Sequence, residues 1–359
     1  MDILNYLQGM AVQHGPSGHE AEVSGWLKAR FEALCDSVTI DPLYNVIALK
    51  KATAPTKDGS PAPRVMLAAH QDEIALMVAD ILPDGSLRMG QVGGVDPRIL
   101  PASSVTVHAT GAGNGTEKLL GVEGSTPPHL LSTADREHNY KREDLFVDLG
   151  LPVDKVRAQV RIGDLITLHG PATPLLNDRC AAKTMDDRAC VACLLEAAER
   201  LQKMSHICDI YFVATSQEEV GSKGASVAAH AIDPDLAVAL DVTHATIPQS
   251  RPDTTVPLDA PAATYGPFVQ YKLLERLKKA AKDHGIKLNT EHAERFTYTD
   301  LDNIQIAREG VPCVLIDLPL KYMHTTVELL DMNVIRECGR LLAHFLGDLD
   351  EGWNEALWS

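Results

Sequence analysis

Apolar residues along this chain fall into two textures. Nearly continuous runs such as Ile210-Tyr211-Phe212-Val213-Ala214 and Leu236-Ala237-Val238-Ala239-Leu240 alternate with longer segments whose apolar positions recur every three or four residues. The first texture predicts strands buried on both faces, the second amphipathic helices, and their alternation an α/β fold. Strands are expected over 45–49, 64–69, 209–215, 236–241, 287–293 and 311–318, and helices over 189–204, 267–284, 300–309 and 331–349. Near the start, Ser17-Gly18-His19-Glu20 has the spacing of a capping box. The helix it would open carries Val23, Trp26, Leu27, Phe31 and Leu34 on one face. Residues 51–63, rich in proline, read as an exposed loop.

Between 74 and 170 the texture changes. Short alternating runs at 74–81, 87–92, 104–109 and 165–169 are separated by Gly, Pro and Asp-Gly turns, the pattern of a small all-β module. The expected organisation is therefore one α/β domain built from 1–73 and 171–359, interrupted by a β-rich insert at 74–170. Within the insert, 127–130 and 135–144 look like an exposed arm, and His108, His129, His138 and His169 take structural readings.

Charge narrows the partners. With 33 Lys and Arg against 49 Asp and Glu, the net charge is −16, which argues against nucleic acid or an anionic membrane face. No stretch approaches the roughly 20 apolar residues that span a bilayer, and Met1-Asp2-Ile3-Leu4 lacks a secretory signal pattern. The seven cysteines, odd in number and set in apolar segments, point to reduced thiols and a cytoplasmic location. Cys190-Val191-Ala192-Cys193 has metal or redox spacing, but it lies in an alanine- and leucine-rich helix and reads as core.

Chemistry concentrates where predicted strands end. His70-Gln71-Asp72-Glu73 follows one, Glu218 and Glu219 another, Asp241 closes a third, and His324 lies just past a fourth; Asp186 and Asp187 sit at a helix start. Ligands of open α/β sheets bind at the carboxyl ends of strands. Adjacent carboxylates there repel unless a cation or a shared proton holds them. Two histidines and several carboxylates suit a pair of borderline divalent ions such as zinc or cobalt, with one carboxylate bridging. Asp72 is spaced to orient a metal-binding His70, and an uncoordinated glutamate beside a ligand is a natural general base.

These same segments resemble the tetrahedral, TET-type dinuclear aminopeptidases of metallopeptidase family 42. The matching motifs run almost the length of the chain: Ala69-His70-Gln71-Asp72-Glu73-Ile74, Val92-Gly93-Gly94-Val95-Asp96-Pro97-Arg98, Pro127-Pro128-His129-Leu130, Asp186-Asp187-Arg188, Gln217-Glu218-Glu219-Val220-Gly221, Ala239-Leu240-Asp241-Val242-Thr243 and Tyr322-Met323-His324-Thr325. The resemblance implies a zinc-aminopeptidase-like mixed sheet flanked by helices, with the small all-β insert making dimer contacts. It implies that His70, Asp186 and Asp241 bind one metal and Asp186, Glu219 and His324 the other. Glu218 would be the general base and Asp72 the residue that orients His70. It further implies a cis peptide after Asp186, two zinc or cobalt ions per subunit, short peptides as substrates, and dimers assembled into a hollow tetrahedral dodecamer. The residues that bind the substrate side chain are not identified. Two departures stand out: Ala75 replaces a family glycine, and the family's Gly-Gly-Thr-Asp loop is Thr297-Tyr298-Thr299-Asp300.

The expectation is thus an aminopeptidase acting on short peptides. A related dinuclear deacylase or carboxypeptidase would share the metal core. A glycoside hydrolase needs carboxyls about 5–9.5 Å apart across the bond, for which adjacent glutamates are poorly placed. A non-enzymatic assembly protein would not need a complete ligand set.

Overall fold

The computed structural model describes residues 1–57, 59–111, 115–133, 135–354 and 357. The chain forms two compact units, one from 1–72, 171–323 and 327–359, the other from 73–170 with 324–326.

The larger unit is built on an eight-stranded mixed sheet. In spatial order its strands are Ser37–Ile40, Val46–Lys50, Asp209–Thr215, Arg64–His70, Leu236–His244, Cys313–Leu320, Ala262–Tyr265 and Asn289–His292. The four from Asp209–Thr215 to Cys313–Leu320 are mutually parallel, so their carboxyl ends share one edge. Period-two alternation divides their side chains between two cores. Val65, Leu67 and Ala69 join the cluster that includes the Met185–Leu201 and Met332–Gly347 helices. Met66 and Ala68 join the cluster of the Lys223–Ile232 and Leu301–Ile304 helices. Apolar layers on both faces explain why these strands read as continuous hydrophobic runs. Cys190 and Cys193 are fully buried in the first core, as their setting predicts.

Several predicted elements shift. The expected 300–309 helix is one turn, Leu301–Ile304, and the 267–284 helix begins at Tyr271, where Gln270 caps it by accepting from the Leu273 amide at 3.1 Å. The capping box at Ser17 does not form. The helix spans Ala21–Phe31 without a side-chain cap; Ser17 Oγ donates to Asp72 at 2.6 Å, and the Glu20 carboxylate takes the amides of Gly18 and Gln217. Tertiary partners outcompete the local cap because both side chains are buried.

The smaller unit is a closed barrel of six strands: Ala75–Ile81, Leu87–Val92, Leu145–Asp148, Glu117–Ser125, Ser104–Ala109 and Leu165–Leu168. Glu117–Ser125 and Leu145–Asp148 are not apparent in the sequence. In the first of these the pattern is inverted: Leu120 and Val122 face outward, while Gly121 and Glu123 are buried. Glu123 pairs with Val147, a core residue, and so shares its inward face.

Candidate active site

His70 ends its strand with the imidazole buried, and both ring nitrogens are engaged. Nδ1 lies 3.2 Å from the Asp72 carbonyl and 3.5 Å from its carboxylate, and Nε2 lies 3.1 Å from Asp186 Oδ1 and 3.9 Å from Glu218. An acceptor on one ring nitrogen is what aims the other at a cation. Asp186 and Asp187, joined by a cis peptide, open the Met185–Leu201 helix. Asp187 Oδ2 accepts the His70 amide at 3.1 Å, while its Oδ1 is buried with no partner among the described residues. Asp241 is buried near the end of the neighbouring parallel strand.

Two sets of side chains bring ligand atoms within 4.8 Å of one another: His70 with Asp186 and Glu219, and His70 with Asp187 and Asp241. Asp187 is the member for which the sequence gives no role, since an acid at a helix start is ordinarily a cap. The signal that could have found it is the doubled Asp behind a predicted turn. His324 belongs to the smaller unit, where Nδ1 is 2.8 Å from the Gly94 carbonyl. A Cβ at position 94 would lie 3.0 Å from that ring, so any larger residue there would press on the imidazole.

The electrostatics fit a cation. Burial first, then repulsion from Asp241 and Asp300, pushes the Glu218 carboxyl up to about 10 against the pull of His70. Burial, with neighbouring aspartates adding to it, also drives Asp241 and Asp187 well above the usual carboxylate range. Burial would lower His70, but hydrogen bonds that its ring donates to Asp186 and Asp72 carry it well upward. Carboxylates forced together in this way are relieved by a divalent charge, and so is the unpartnered Asp187 oxygen. Asp72 differs: burial raises it, yet His70, Ser17 and the Glu218 amide together hold it below its ordinary value.

The Thr297-Tyr298-Thr299-Asp300 loop keeps a glycine-like backbone without glycine. Tyr298 adopts φ +57, and the Thr297 and Tyr298 amides both bond the Asp302 carboxylate at 3.0 Å. Its side chain is 84% exposed.

Fold and site together define a peptidase of the aminopeptidase class. The "M42 glutamyl aminopeptidase" family model matches residues 51–341, and the chain belongs to that family. It is 37% identical over 322 residues to the lysyl aminopeptidase of Pyrococcus furiosus, covering 88% of each chain. The TET aminopeptidase structure from a marine sediment archaeon of the Thaumarchaeota superposes with a TM-score of 0.90 at 29% identity over 99% of both chains. The Pyrococcus horikoshii TET1 peptidase, described as assembling into a tetrahedron or a large octahedral shell, gives 0.81 at 25% identity, covering 97% of this chain and all of that one.

Proposed function

We propose that this chain is a cytoplasmic, dinuclear-metal-dependent aminopeptidase that removes N-terminal residues from short peptides, with Glu218 as general base. The observation that carries the reading is the pair of ligand sets sharing His70, buried except for the half-buried Glu219, with Glu218 3.9 Å from the His70 Nε2. Family resemblance assigns His70, Asp186 and Asp241 to one zinc or cobalt ion, and Asp186, Glu219 and His324 to the second, with Asp186 as bridge. The ligand atoms that lie together are those of His70 with Asp186 and Glu219 and of His70 with Asp187 and Asp241. Bound divalent ions supply a water of lowered pKa and polarise the scissile carbonyl. Glu218 takes the water's proton and delivers it to the departing amine. Asp72 keeps the His70 ring aimed. The seven unpaired cysteines and the lack, among described residues, of any helix long and apolar enough to cross a membrane support the compartment. The described assembly of the Pyrococcus horikoshii TET1 peptidase, a dodecamer that forms a tetrahedron, supports self-association toward a tetrahedral dodecamer.

The test is amino-acid release from a panel of aminoacyl chromogenic substrates after chelation and readdition of cobalt or zinc, beside Glu218→Gln. Metal-restored activity that the variant lacks supports the reading. Turnover of N-blocked peptides equal to that of free-amino ones would instead favour the deacylase or carboxypeptidase chemistry.

A further inference from the structure

The turn that carries Glu218 is gripped by two carboxylates, only one of which, Asp72, belongs to a recognised motif of the site. After the Asp209–Thr215 strand the chain turns through Gln217, whose φ is +56, and the next amides point toward one side. Consecutive amides in such a turn form a concavity that receives anions. Asp72 takes two of them, Glu218 N at 3.0 Å and Glu219 N at 3.3 Å. The third, Gln217 N, is taken by Glu20 Oε1 at 3.1 Å, and the same oxygen accepts Gly18 N at 2.7 Å. Ser17 Oγ, in the segment just before Glu20, donates to Asp72 at 2.6 Å, so this segment reaches both carboxylates of the turn. Glu20 is fully buried although it stands at the start of a helix, where glutamate is ordinarily solvated.

We infer that Glu20 is a positioning residue for the reaction: with Asp72 it fixes the 217–219 amides and thereby the direction in which the Glu218 carboxylate points. The geometry separates the two roles. Asp72 also orients His70, whereas among the described residues the Glu20 side chain accepts from the Gly18 and Gln217 amides alone. Removing Glu20 therefore frees the Gln217 amide at the head of the turn while leaving the bonds from Asp72 to the Glu218 and Glu219 amides in place. The inference rests on Glu218 being the base.

The experiment measures kcat, KM, bound metal and Tm of the metal-loaded enzyme for Glu20→Ala, Glu20→Gln and Glu20→Asp, with Glu20→Ala repeated in a Glu218→Gln background. A displacement of about 1 Å at a catalytic group lowers rate up to roughly 100-fold, so Glu20→Ala is expected to lower kcat about 10- to 100-fold with KM within about threefold and metal content unchanged. Glu20→Gln, whose amide oxygen can accept both N–H groups, recovers kcat to within about threefold; Glu20→Asp, one methylene short, behaves like the alanine variant. With Glu218 already disabled, Glu20→Ala lowers the residual rate by less than about twofold, because neighbours acting through one group are not additive. A folded Glu20→Ala with wild-type kcat overturns the role, as does an equal loss in both backgrounds. Should the alanine variant not fold, a Glu20→Asp enzyme with wild-type kcat overturns it. A fully active Glu218→Gln brings down the base assignment and this inference together, whereas an inactive Glu218→Gln beside an unaffected Glu20→Ala brings down only Glu20.

Discussion

Both units bury carboxylates, and each acid's neighbours decide its state: in the barrel Asp164 collects donors from Thr110 and Arg161, as acids at the sheet edge do, whereas Glu123 has none among the described residues. At the strand ends of the larger unit, Asp72 and Glu20 each collect amide donors, Asp186 meets an imidazole, and the acids around His70 lie within reach of a shared cation. In the barrel, Glu123 is 2% exposed and neither oxygen has a hydrogen-bond partner among the described residues. Burial alone pushes its carboxyl up to about 8. Against burial, donors and a histidine keep the Asp72 carboxyl below its ordinary range. Burial and mutual repulsion raise Glu218, Asp187 and Asp241, so that a cation is what would hold the charge of such acids. A solitary one is held neutral by its surroundings and weakens the fold once it ionises.

The widest separation between the two regions is chemical. Chelation is expected to abolish aminopeptidase turnover while leaving the pH dependence set by Glu123 unaltered; activity that persists in apo-protein verified by metal analysis would break the contrast. Next, Glu218→Gln should lower kcat by about 10²–10⁴, the usual contribution of a general base. Steady-state kinetics at saturating metal would show this, and a drop below tenfold would remove Glu218 from that role.

Glu123 predicts a stability effect. Its folded pKa lies above the unfolded carboxylate value near 4.5, so its contribution is fully present below about 4.5 and is lost as pH rises through about 8. Glu123→Leu should therefore flatten the decline of Tm between pH 5 and 8 and gain on the order of a few kcal/mol above it. Parallel Tm–pH curves for variant and wild type would show that Glu123 has a partner in solution. The smallest effect concerns the 297–300 loop. Tyr298→Gly relieves a left-handed backbone worth about 1–2 kcal/mol but frees the unfolded chain, so stability should move by less than about 1 kcal/mol. Any larger change in KM than in Tm would show that the exposed ring touches substrate.

Much of the site was legible because strands buried on both faces announce themselves as apolar runs, and whatever follows such a run stands on the sheet edge. His70, Glu218, Glu219 and Asp241 were found in that way. Asp187 was hidden because the same residue type caps ordinary helices, and only the Asp186 turn brings it to the His70 amide. Glu123 and its strand were hidden for the opposite reason: at the centre of Glu117–Ser125 the apolar Leu120 and Val122 face outward while Glu123 faces in, so alternation pointed to the wrong face.

The sequence by itself determined the α/β order, the β-rich insert and the set of acids and imidazoles at strand ends, because hydrophobic period and turn chemistry are local properties. Tertiary structure alone decided where long-range partners overrule local ones. Ser17 and Glu20 have the spacing of a helix cap, yet their side chains go to Asp72 and Gln217, 55 and 197 residues away. Burial is the reason: a carboxylate removed from water needs donors of fixed geometry, and the folded turn adds Gln217 N to the single local donor, Gly18 N, that Glu20 finds.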